Sequence, residues 1–418
     1  MQNELPENYA ALVAVDWADS SHQFSLTYPG CPKREEGNVE HKPEDLMAWI
    51  MSLRKRFPEG SIALCMEQFR GALAYFLMQF DFIVLFLVNP ITVKRYREAL
   101  YPSGGKNDPR DCDVMLDLLE TNTKRLRAWR PEPAYIRKLD LLTRHRRNII
   151  DKITALTNEL SAHLKAYYPQ AFELVGELDT VQCCDFLEKW PNLQSIKKAK
   201  KGQVRKFYSS HNSRSAKKID ERIQLIDQSI AITDDPAICS VYELSVVSIV
   251  KQLRQLLNSV QIFDDELAQC FDQNPEKYLY ENLPGAGPVL KPRLATAFGV
   301  NRTKFENAAE LQSFSGIAPV TEESGRSRWV HWRYACPKFL RQTFVEFAHH
   351  SRAKSIWAEA YYQDLRKRGK HHQAALRALA FKWIRILFRC WKDGIAYDEK
   401  RYLAALEKRK SPIAKMIA

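Results

Sequence analysis

The chain has 418 residues, of which 45% are hydrophobic and 11% aromatic, so it is long enough for two or three domains with real hydrophobic cores. Its net charge of +13 predicts a polyanionic partner, nucleic acid before anionic membrane, and the aromatic content excludes a disordered basic tail. Without a bilayer-length apolar run, a signal peptide or a CxxC pair, the sequence argues against a membrane protein, a disulfide scaffold and a zinc ribbon.

The first 130 residues have the pattern of an α/β domain. Short apolar runs at 11–16, 62–66 and 83–88 predict buried strands, and the alternating segment 22–27 predicts an antiparallel partner for the first of them. Helical spacing over 43–55 and 71–80 separates these strands. The alternation predicts a central mixed sheet that is covered by helices on both faces.

Acidic residues lie where such a sheet places its ligands. Asp16 and Glu67 end two predicted strands, and Asp108 and Asp111 have the i, i+3 spacing that puts them on one face at the start of a helix. Taken alone, Asp108 is better explained as a helix cap. Four carboxylates together favour a site for a hard cation such as Mg²⁺. The same segment carries two cations for which we predict nucleic-acid contacts, Lys106 and Arg110.

From about residue 131 to 278 the sequence predicts an arm of long, charged helices. Two apolar seams of coiled-coil spacing predict an antiparallel pair that either packs on itself or joins two copies. The seams consist of Ile149, Ile153, Leu156, Leu160, Leu164 and Tyr167, and of Val246, Ile249, Leu253, Leu256, Val260, Phe263, Leu267 and Cys270. Between them, the basic segment 197–218 contains Phe207 and Tyr208, and fits either a solvated linker or a site for a phosphate backbone and an unpaired base.

The last domain, 279–418, is predicted to be mostly helical. Gly285 and Gly287 precede a helix whose free amides could receive a phosphate, as in a helix-hairpin-helix. Further on, Ser324 is predicted to lie in a loop. A loop hydroxyl among cations suits attack on a phosphodiester, although most Ser-Gly pairs are ordinary loops in a basic patch. The surrounding cations, for which we predict strand binding, are Arg326, Arg328, Arg333, Lys338 and Arg341.

The order and spacing of these motifs resemble the transposases of the IS110 family, including its IS1111 branch. The shared features are acids after two strands, a K-x-D-x-x-D segment, the arm, a P-G-x-G-P turn and a G-[IL]-x-P…S-G…L-R block, within residues 9–125 and 280–400. The chain departs from the family pattern at Asn107, where Thr is common, and at 334–337, which replace a K-x-G-N segment.

The resemblance implies a RuvC-like, RNase H-type domain at 1–130 whose DEDD site, formed by Asp16, Glu67, Asp108 and Asp111, holds Mg²⁺ or Mn²⁺. It implies that Ser324 forms a covalent phosphoserine link with DNA, and Ser327 is the nearby alternative. The implied activity is excision and insertion of the encoding element between donor and target DNA, guided by a noncoding RNA of that element. We expect a dimer or tetramer in the bacterial cytoplasm, at the nucleoid.

Two other hypotheses stay open at this point. In one, the protein is a RuvC-like junction nuclease in which metal-activated water, not a serine, attacks the phosphate. In the other, it is a non-catalytic basic scaffold for RNA or DNA whose acids are helix caps. Trapping of a phosphoserine adduct separates the first from the serine mechanism, and substitution of Asp16 or Glu67 separates the second.

Overall fold

The computed structural model describes residues 9–67, 71–101, 108–213 and 215–417, without the side chains of residues 108 and 109. The chain divides into two compact units, Met1–Pro131 and Glu132–Ala418. Lys106 therefore lies outside the described residues, as does the side chain of Asp108. The further division of the second unit near residue 278 stays a prediction.

The first unit is built on a mixed sheet of six strands, as the alternating pattern predicts. β1 pairs in parallel with β4, and β4 with β5, whereas β2, β3 and β6 are antiparallel to their neighbours, in the order β3-β2-β1-β4-β5-β6. The strands are β1 (Tyr9–Asp16), β2 (Ser21–Thr27), β3 (Glu35–Glu40), β4 (Ser61–Met66), β5 (Ile83–Leu87) and β6 (Ala128–Trp129).

Helices cover both faces of this sheet, which explains why its central strands are apolar along their length. In β1, Val13 and Val15 belong to a core on one face with Ile50, while Leu12 and Ala14 belong to a core on the other face. Helix α4 packs on that second face, against β1 and β2. The helices are α1 (Pro43–Arg56), α2 (Ala72–Leu77), α3 (Pro90–Leu100) and α4 (Asp108–Asn122).

The arm of the second unit consists of two long helices, α5 (Ala134–Tyr167) and α11 (Pro236–Asp272), which pack together along their length. Their direction is antiparallel, because Arg146 near the start of α5 pairs with Asp264 near the end of α11, whereas His163 bonds to Ser245 at 3.1 Å. The predicted seam residues are buried or half-buried between helices, from Ile153 to Tyr167 and from Val246 to Cys270. That the two helices supercoil as a coiled coil stays a prediction.

The basic segment between these helices is not a linker but part of a folded helical cap on the arm. Its helices are α6 (Ala171–Val175), α7 (Val181–Lys189), α8 (Leu193–Lys197), α9 (Lys201–Ser210) and α10 (Ala216–Gln228). Phe207 and Tyr208 are buried in its core with Val204, so the hypothesis that they stack on an unpaired base is wrong. The reason is helical spacing, since i, i+3 and i+4 put these three residues on one inward face of α9.

The rest of the second unit is mostly helical around a core rich in aromatic residues, including Phe344, Trp357 and Trp383. Its elements are α12 (Tyr278–Glu281), α13 (Leu290–Phe298), α14 (Ala308–Phe314), β7 (Val320–Ser324), β8 (Ser327–His331), α15 (Lys338–Ser351), α16 (Ile356–Lys367), α17 (His372–Asp393), α18 (Glu399–Lys408) and α19 (Pro412–Ile417). Two further helices, α18 and α19, follow the buried Tyr397. None of the described helices has the length and apolar character to cross a membrane.

Candidate functional site

Asp16 and Glu67 lie side by side at one edge of the first unit's sheet. Asp16 is the last residue of β1 and Glu67 directly follows β4, and the parallel register pairs Val15 with Met66, the residues just before them. Because side chains alternate along a strand, Asp16 follows Leu12 and Ala14 onto the face that α4 covers. The same alternation places Glu67 on this face after Ala63 and Cys65. Two carboxylates therefore end neighbouring strands beneath one helix.

The start of α4 is fixed next to these strand ends. The Cys112 thiol bonds to the carbonyl oxygen of Gln23 at 3.1 Å, and Gln23 is paired with Asp16 in the sheet. Burial raises the pKa of the Cys112 thiol, and the negative charges of Asp16, Asp113 and Asp111 raise it further. Cys112 lies between Asp111 and Asp113 on α4 and bonds to the residue that pairs with Asp16, so β1 and the start of α4 bring their acids to one region.

Asp111 itself is buried and forms an ion pair with Arg97 of α3. In contrast, Asp113 accepts a hydrogen bond from Ser25 at 3.1 Å and lies 3.9 Å from Arg34, so its contacts tie α4 to the β2 side of the unit. The other predicted residue on α4, Arg110, lies with its guanidinium over the ring of Tyr101, 5.1 Å from the centroid.

The chemistry of this acid set fits a divalent cation, since carboxylate oxygens are the ligands that Mg²⁺ and Mn²⁺ prefer. Within the described residues, no three His, Cys, Asp or Glu side chains are gathered closely enough to hold a metal. Asp111 is turned to Arg97, and the fourth predicted ligand, Asp108, has no described side chain. Asp16, Glu67 and Asp111 therefore supply suitable donors at one edge, and their assignment as ligands stays a prediction.

The sequence predicts that Ser324 lies in a loop. In the structure, Ser324 instead ends β7 in the second unit, at the tip of a two-stranded hairpin. Gly325 and Arg326 form the two-residue turn, with Gly325 at φ +57°, the left-handed conformation that a type II′ turn needs at its first central position. Ser327 is the residue paired with Ser324 across the turn. Both serines are exposed, and paired residues lie about 5 Å apart, so the backbone presents the two hydroxyls equally.

One face of the hairpin carries both serines. Residues two apart share a face, so Glu322 lies on it with Ser324, and Trp329 and His331 lie on it with Ser327. His331 pairs with Glu322 at 2.9 Å. It lies opposite Val320, four residues from Ser324, which corresponds to roughly 14 Å along the strand. At that separation His331 is too far away to take the proton of the Ser324 hydroxyl directly.

The Glu322–His331 pair predicts a pH dependence of the hairpin. Two hydrogen bonds raise the pKa of the His331 imidazole. The larger effect comes from its bond to Glu322, and a smaller one from its bond to the Trp332 carbonyl oxygen. A raised folded-state pKa means that the pair stabilises the hairpin at low pH and loses this effect as pH rises through that pKa. We expect Glu322→Gln to lower the pKa of His331 in an NMR titration of the imidazole signals. The Glu323→Gln variant is the control, and an equal shift there would contradict the pairing.

The predicted strand-binding cations extend from the hairpin tip to the start of α15. Arg326 is in the exposed turn, and Arg328 lies on the opposite face from Ser324, 3.2 Å from Glu323. Lys338 begins α15, and Arg341 in the same turn donates to the carbonyl oxygen of Arg333 at 3.4 Å. The structure thus gathers Arg333, Lys338 and Arg341 near the foot of the hairpin, and leaves Arg326 and Arg328 near its tip.

Comparison with known proteins identifies the family. The DEDD transposase profile of the IS110 family matches residues 13–169, which include the four predicted acids, and the profile described as "Transposase IS116/IS110/IS902 family" matches residues 278–363, which include both serines. The chain belongs to the IS110 family of transposases.

Relatives support this assignment over most of their length. The chain is 26% identical over 330 residues to a mini-circle protein of IS117 that is named as a transposase, from Streptomyces coelicolor, with 77% of this chain and 79% of the relative covered. It is 24% identical to the 43.6 kDa protein of insertion element IS110 from the same organism, with 72% and 74% covered. It is also 24% identical to the 44.8 kDa protein of IS116 from Streptomyces clavuligerus, with 72% and 75% covered.

The two glycines before α13 of this IS110-family chain have different roles. Gly285 has φ +75°, and a Cβ there would overlap the backbone carbonyl of His350, so close packing of the chain on the end of α15 requires glycine. A Cβ at Gly287 would meet no atom within 4 Å. Gly287 is therefore the better candidate for close approach of a phosphate.

We expect Gly285→Ala to destabilise the protein by more than about 1 kcal/mol, because it adds both a steric overlap and backbone strain. Gly287→Ala, at an open position, should stay within about 0.5 kcal/mol of the parent. Urea unfolding followed by circular dichroism measures both. Equal stabilities of the two variants would show that the packing of Gly285 on α15 is not needed.

Several residues near the hairpin were not predicted from the sequence to be functional. Trp329, Trp332 and Tyr334 are exposed by 62%, 41% and 78%, an unusual concentration of solvent-exposed rings. Their signal was present in the sequence RWVHWRY, in which the three rings lie next to Arg328 and Arg333. Arg377 gave no such signal, because it is distant in sequence and reaches Trp332 only through packing of α17.

Proposed function

We propose that the protein is the transposase of an insertion sequence, which cuts and rejoins DNA through a serine nucleophile assisted by the carboxylate site of its first, RuvC-like unit. The observation that carries this proposal is the hairpin, which holds Ser324 at an exposed tip with Arg326 beside it. A hydroxyl that is meant to reach a phosphodiester must project from the surface and be close to cations, and both conditions are met here.

In the proposed reaction the Oγ atom of Ser324 attacks a DNA phosphorus, and the bond from that phosphorus to a deoxyribose oxygen breaks. The serine proton leaves to a base, and the departing sugar oxygen takes up a proton. The phosphoserine link conserves the phosphodiester, so reversal by another strand's hydroxyl reseals DNA without an energy source. Arg326, beside Ser324 at the tip, stabilises the negative charge on the phosphoryl oxygens, while Arg328 and Arg333 hold the strand away from the reacting phosphate.

The carboxylates supply what the hairpin lacks. Because His331 is too far from Ser324 and Glu322 is paired with His331, we assign the base or its equivalent to a group outside the hairpin face. When bound by Asp16, Glu67 and Asp111, together with Asp108, Mg²⁺ or Mn²⁺ would polarise the scissile phosphate and lower the pKa of a coordinated hydroxyl. Arg97 pairs with the buried Asp111 carboxylate, so the two opposite charges offset each other.

The proposal includes the partners that the family resemblance implies. The net charge of +13 suits both the donor and target DNA and a guide RNA from the same element, and the antiparallel arm offers a surface for joining copies into a dimer or tetramer. Such a protein acts at the bacterial nucleoid. A noncoding segment beside the reading frame that folds into loops matching donor and target ends would support the guide.

Trapping of a covalent complex tests this proposal against a junction nuclease that uses water. The protein is incubated with labelled DNA that carries the element's ends, its guide RNA and Mg²⁺, then denatured and resolved on a gel. We expect a labelled band at the size of the protein plus DNA. Cleaved DNA without this band would favour the nuclease, because the acids at the strand ends would be sufficient for a metal-activated water to attack the phosphate.

A further inference from the structure

A basic cleft of about 630 Å³ opens in the second unit, between α5 and the first halves of α15 and α17. Its volume falls within the range of roughly 300–1,000 Å³ that is usual for ligand sites. Two carboxylates line it, Asp151 and Glu346, against a larger number of cations. The cleft therefore keeps an excess of positive charge. The cations are Arg144, Arg147, Lys338, Arg341 and Arg377.

The cations of the cleft differ in how well they are satisfied. Arg144 is paired with Asp140 at 2.9 Å, and Arg147 with Asp151 at 2.6 Å. Arg377 is different, because its Nη1 atom is buried and has no hydrogen-bond partner among the described residues. A buried guanidinium nitrogen without an acceptor is unfavourable, and an anion in the cleft would correct this.

Two of these guanidiniums lie over the indole ring of Trp332. The Arg377 guanidinium lies 3.2 Å from the centroid of this ring, and that of Arg341 lies 5.2 Å away. Burial lowers the pKa of Arg377, and the positive charge of Arg341 lowers it further. Cation–π contacts thus keep two like charges close despite their repulsion. A bound anion would relieve that repulsion as well.

The start of α15 gives independent support. This 14-residue helix begins at the cleft with Lys338, and has no side-chain cap and no acid in its first turn. Its first backbone amides therefore have no capping acceptor, and the positive end of the helix dipole is not offset by an acidic side chain. An anion is the complement that this end of the helix lacks.

We propose that the cleft binds a backbone phosphate of a nucleic-acid strand, with Arg377 and Arg341 as its ligands and Trp332 as the residue that positions both. The proposal rests on the proposed function, because it assigns the phosphate to a strand that also passes the hairpin tip. Trp332 directly follows β8, five residues from Ser327. That distance is roughly 17 Å of strand, equal to about five stacked nucleotides. A stacked strand that runs along β8 would therefore have its anchored phosphate about five nucleotides from the reacting one.

The affinity of the Arg377→Ala variant for a nucleic-acid strand tests this proposal, and its measurement requires no DNA cleavage. The probes are short fluorescein-labelled single-stranded DNA and RNA of mixed sequence, and binding to the full-length protein is followed by anisotropy over a salt series. We expect roughly tenfold weaker binding and a smaller salt slope, by about 0.7, because one phosphate contact is lost. Arg389→Ala is the matched control, since Arg389 lies on the same helix but is exposed and paired with Asp393. It should leave both values unchanged.

Variants that keep the fold make the outcome decisive. Trp332→Ala should reproduce the effect of Arg377→Ala, and Trp332→Phe, which keeps a ring, should restore most of the binding. A salt slope for Arg377→Ala equal to that of Arg389→Ala would overturn the proposal. A site that binds only free phosphate would also overturn the proposal. In that case inorganic phosphate raises the melting temperature of the parent protein but not of Arg377→Ala, and the two proteins bind the strand with the same affinity.

The test separates this inference from the serine mechanism. If the covalent adduct forms but Arg377 has no effect on strand binding, the cleft proposal fails and the proposed function stands. If Arg377 affects binding as expected but no adduct forms, the cleft binds a strand and the serine mechanism fails. Circular dichroism melting of each variant confirms that the comparison is made between folded proteins.

Discussion

Ser324→Ala should reduce formation of the covalent protein–DNA complex by at least about 10³-fold, because it removes the atom that forms the new bond to phosphorus. The loss should appear in single-turnover formation of the adduct on a denaturing gel. Binding of DNA and RNA should be unchanged, since the deleted hydroxyl carries no charge and is exposed. The effect is therefore expected on chemistry alone.

Ser327→Ala is the natural control for this experiment. Ser327 is paired with Ser324 in the hairpin, is equally exposed and lies on the same face, so the two substitutions change the surface in the same way. We expect Ser327→Ala to keep most of the adduct. The reverse pattern would make Ser327 the nucleophile, and an adduct in both single variants and in the double variant would remove the hairpin serines from the mechanism.

Asp16→Asn and Glu67→Gln should each reduce adduct formation by about 10²–10³-fold or more, because each replaces a carboxylate ligand with a neutral amide. The two acids end neighbouring parallel strands, so loss of either should also weaken binding of Mn²⁺, measured by calorimetry on the protein alone. This second measurement separates loss of the cation from damage to the hairpin, which lies in the other unit.

Asp113→Asn is the control for the acid set. Asp113 is two residues from Asp111 on α4, but its contacts are with Ser25 and Arg34. We expect it to keep both Mn²⁺ binding and adduct formation, with some loss of stability. If Asp16→Asn instead keeps activity and its dependence on Mg²⁺, the acids are structural and the non-catalytic scaffold becomes the better account of the first unit.

The first unit could largely be predicted from the sequence, because its central strands are buried on both faces. Burial forces continuous apolar runs, and the acids Asp16 and Glu67 are conspicuous at their ends. Strand β3 was missed because its sequence, EEGNVE, is charged and contains glycine, as suits an edge strand that is largely exposed to solvent. The edge strand β6 has only two residues and leaves no periodic signal.

The site in the second unit could be predicted only in part. Ser324 and its cations stand out as residue types, but the pairing of Ser324 with Ser327 depends on a turn type that the sequence did not distinguish from a loop. The role of the basic segment with Phe207 and Tyr208 was also ambiguous in the sequence. Its charges dominate the composition and suggest an exposed segment, whereas helical spacing buries its two rings. Contacts between distant helices, such as Arg377 with Trp332, leave no local pattern at all.

Mass spectrometry of the trapped complex tests the central claim most directly. The adduct is digested with nuclease and trypsin, which cleaves after Arg326 and so separates Ser324 from Ser327. The account predicts a nucleotide phosphate on the peptide that ends at Arg326, with fragmentation placing it on Ser324. A modified peptide that begins at Ser327, or complete cleavage and rejoining of DNA with no modified peptide, would contradict it.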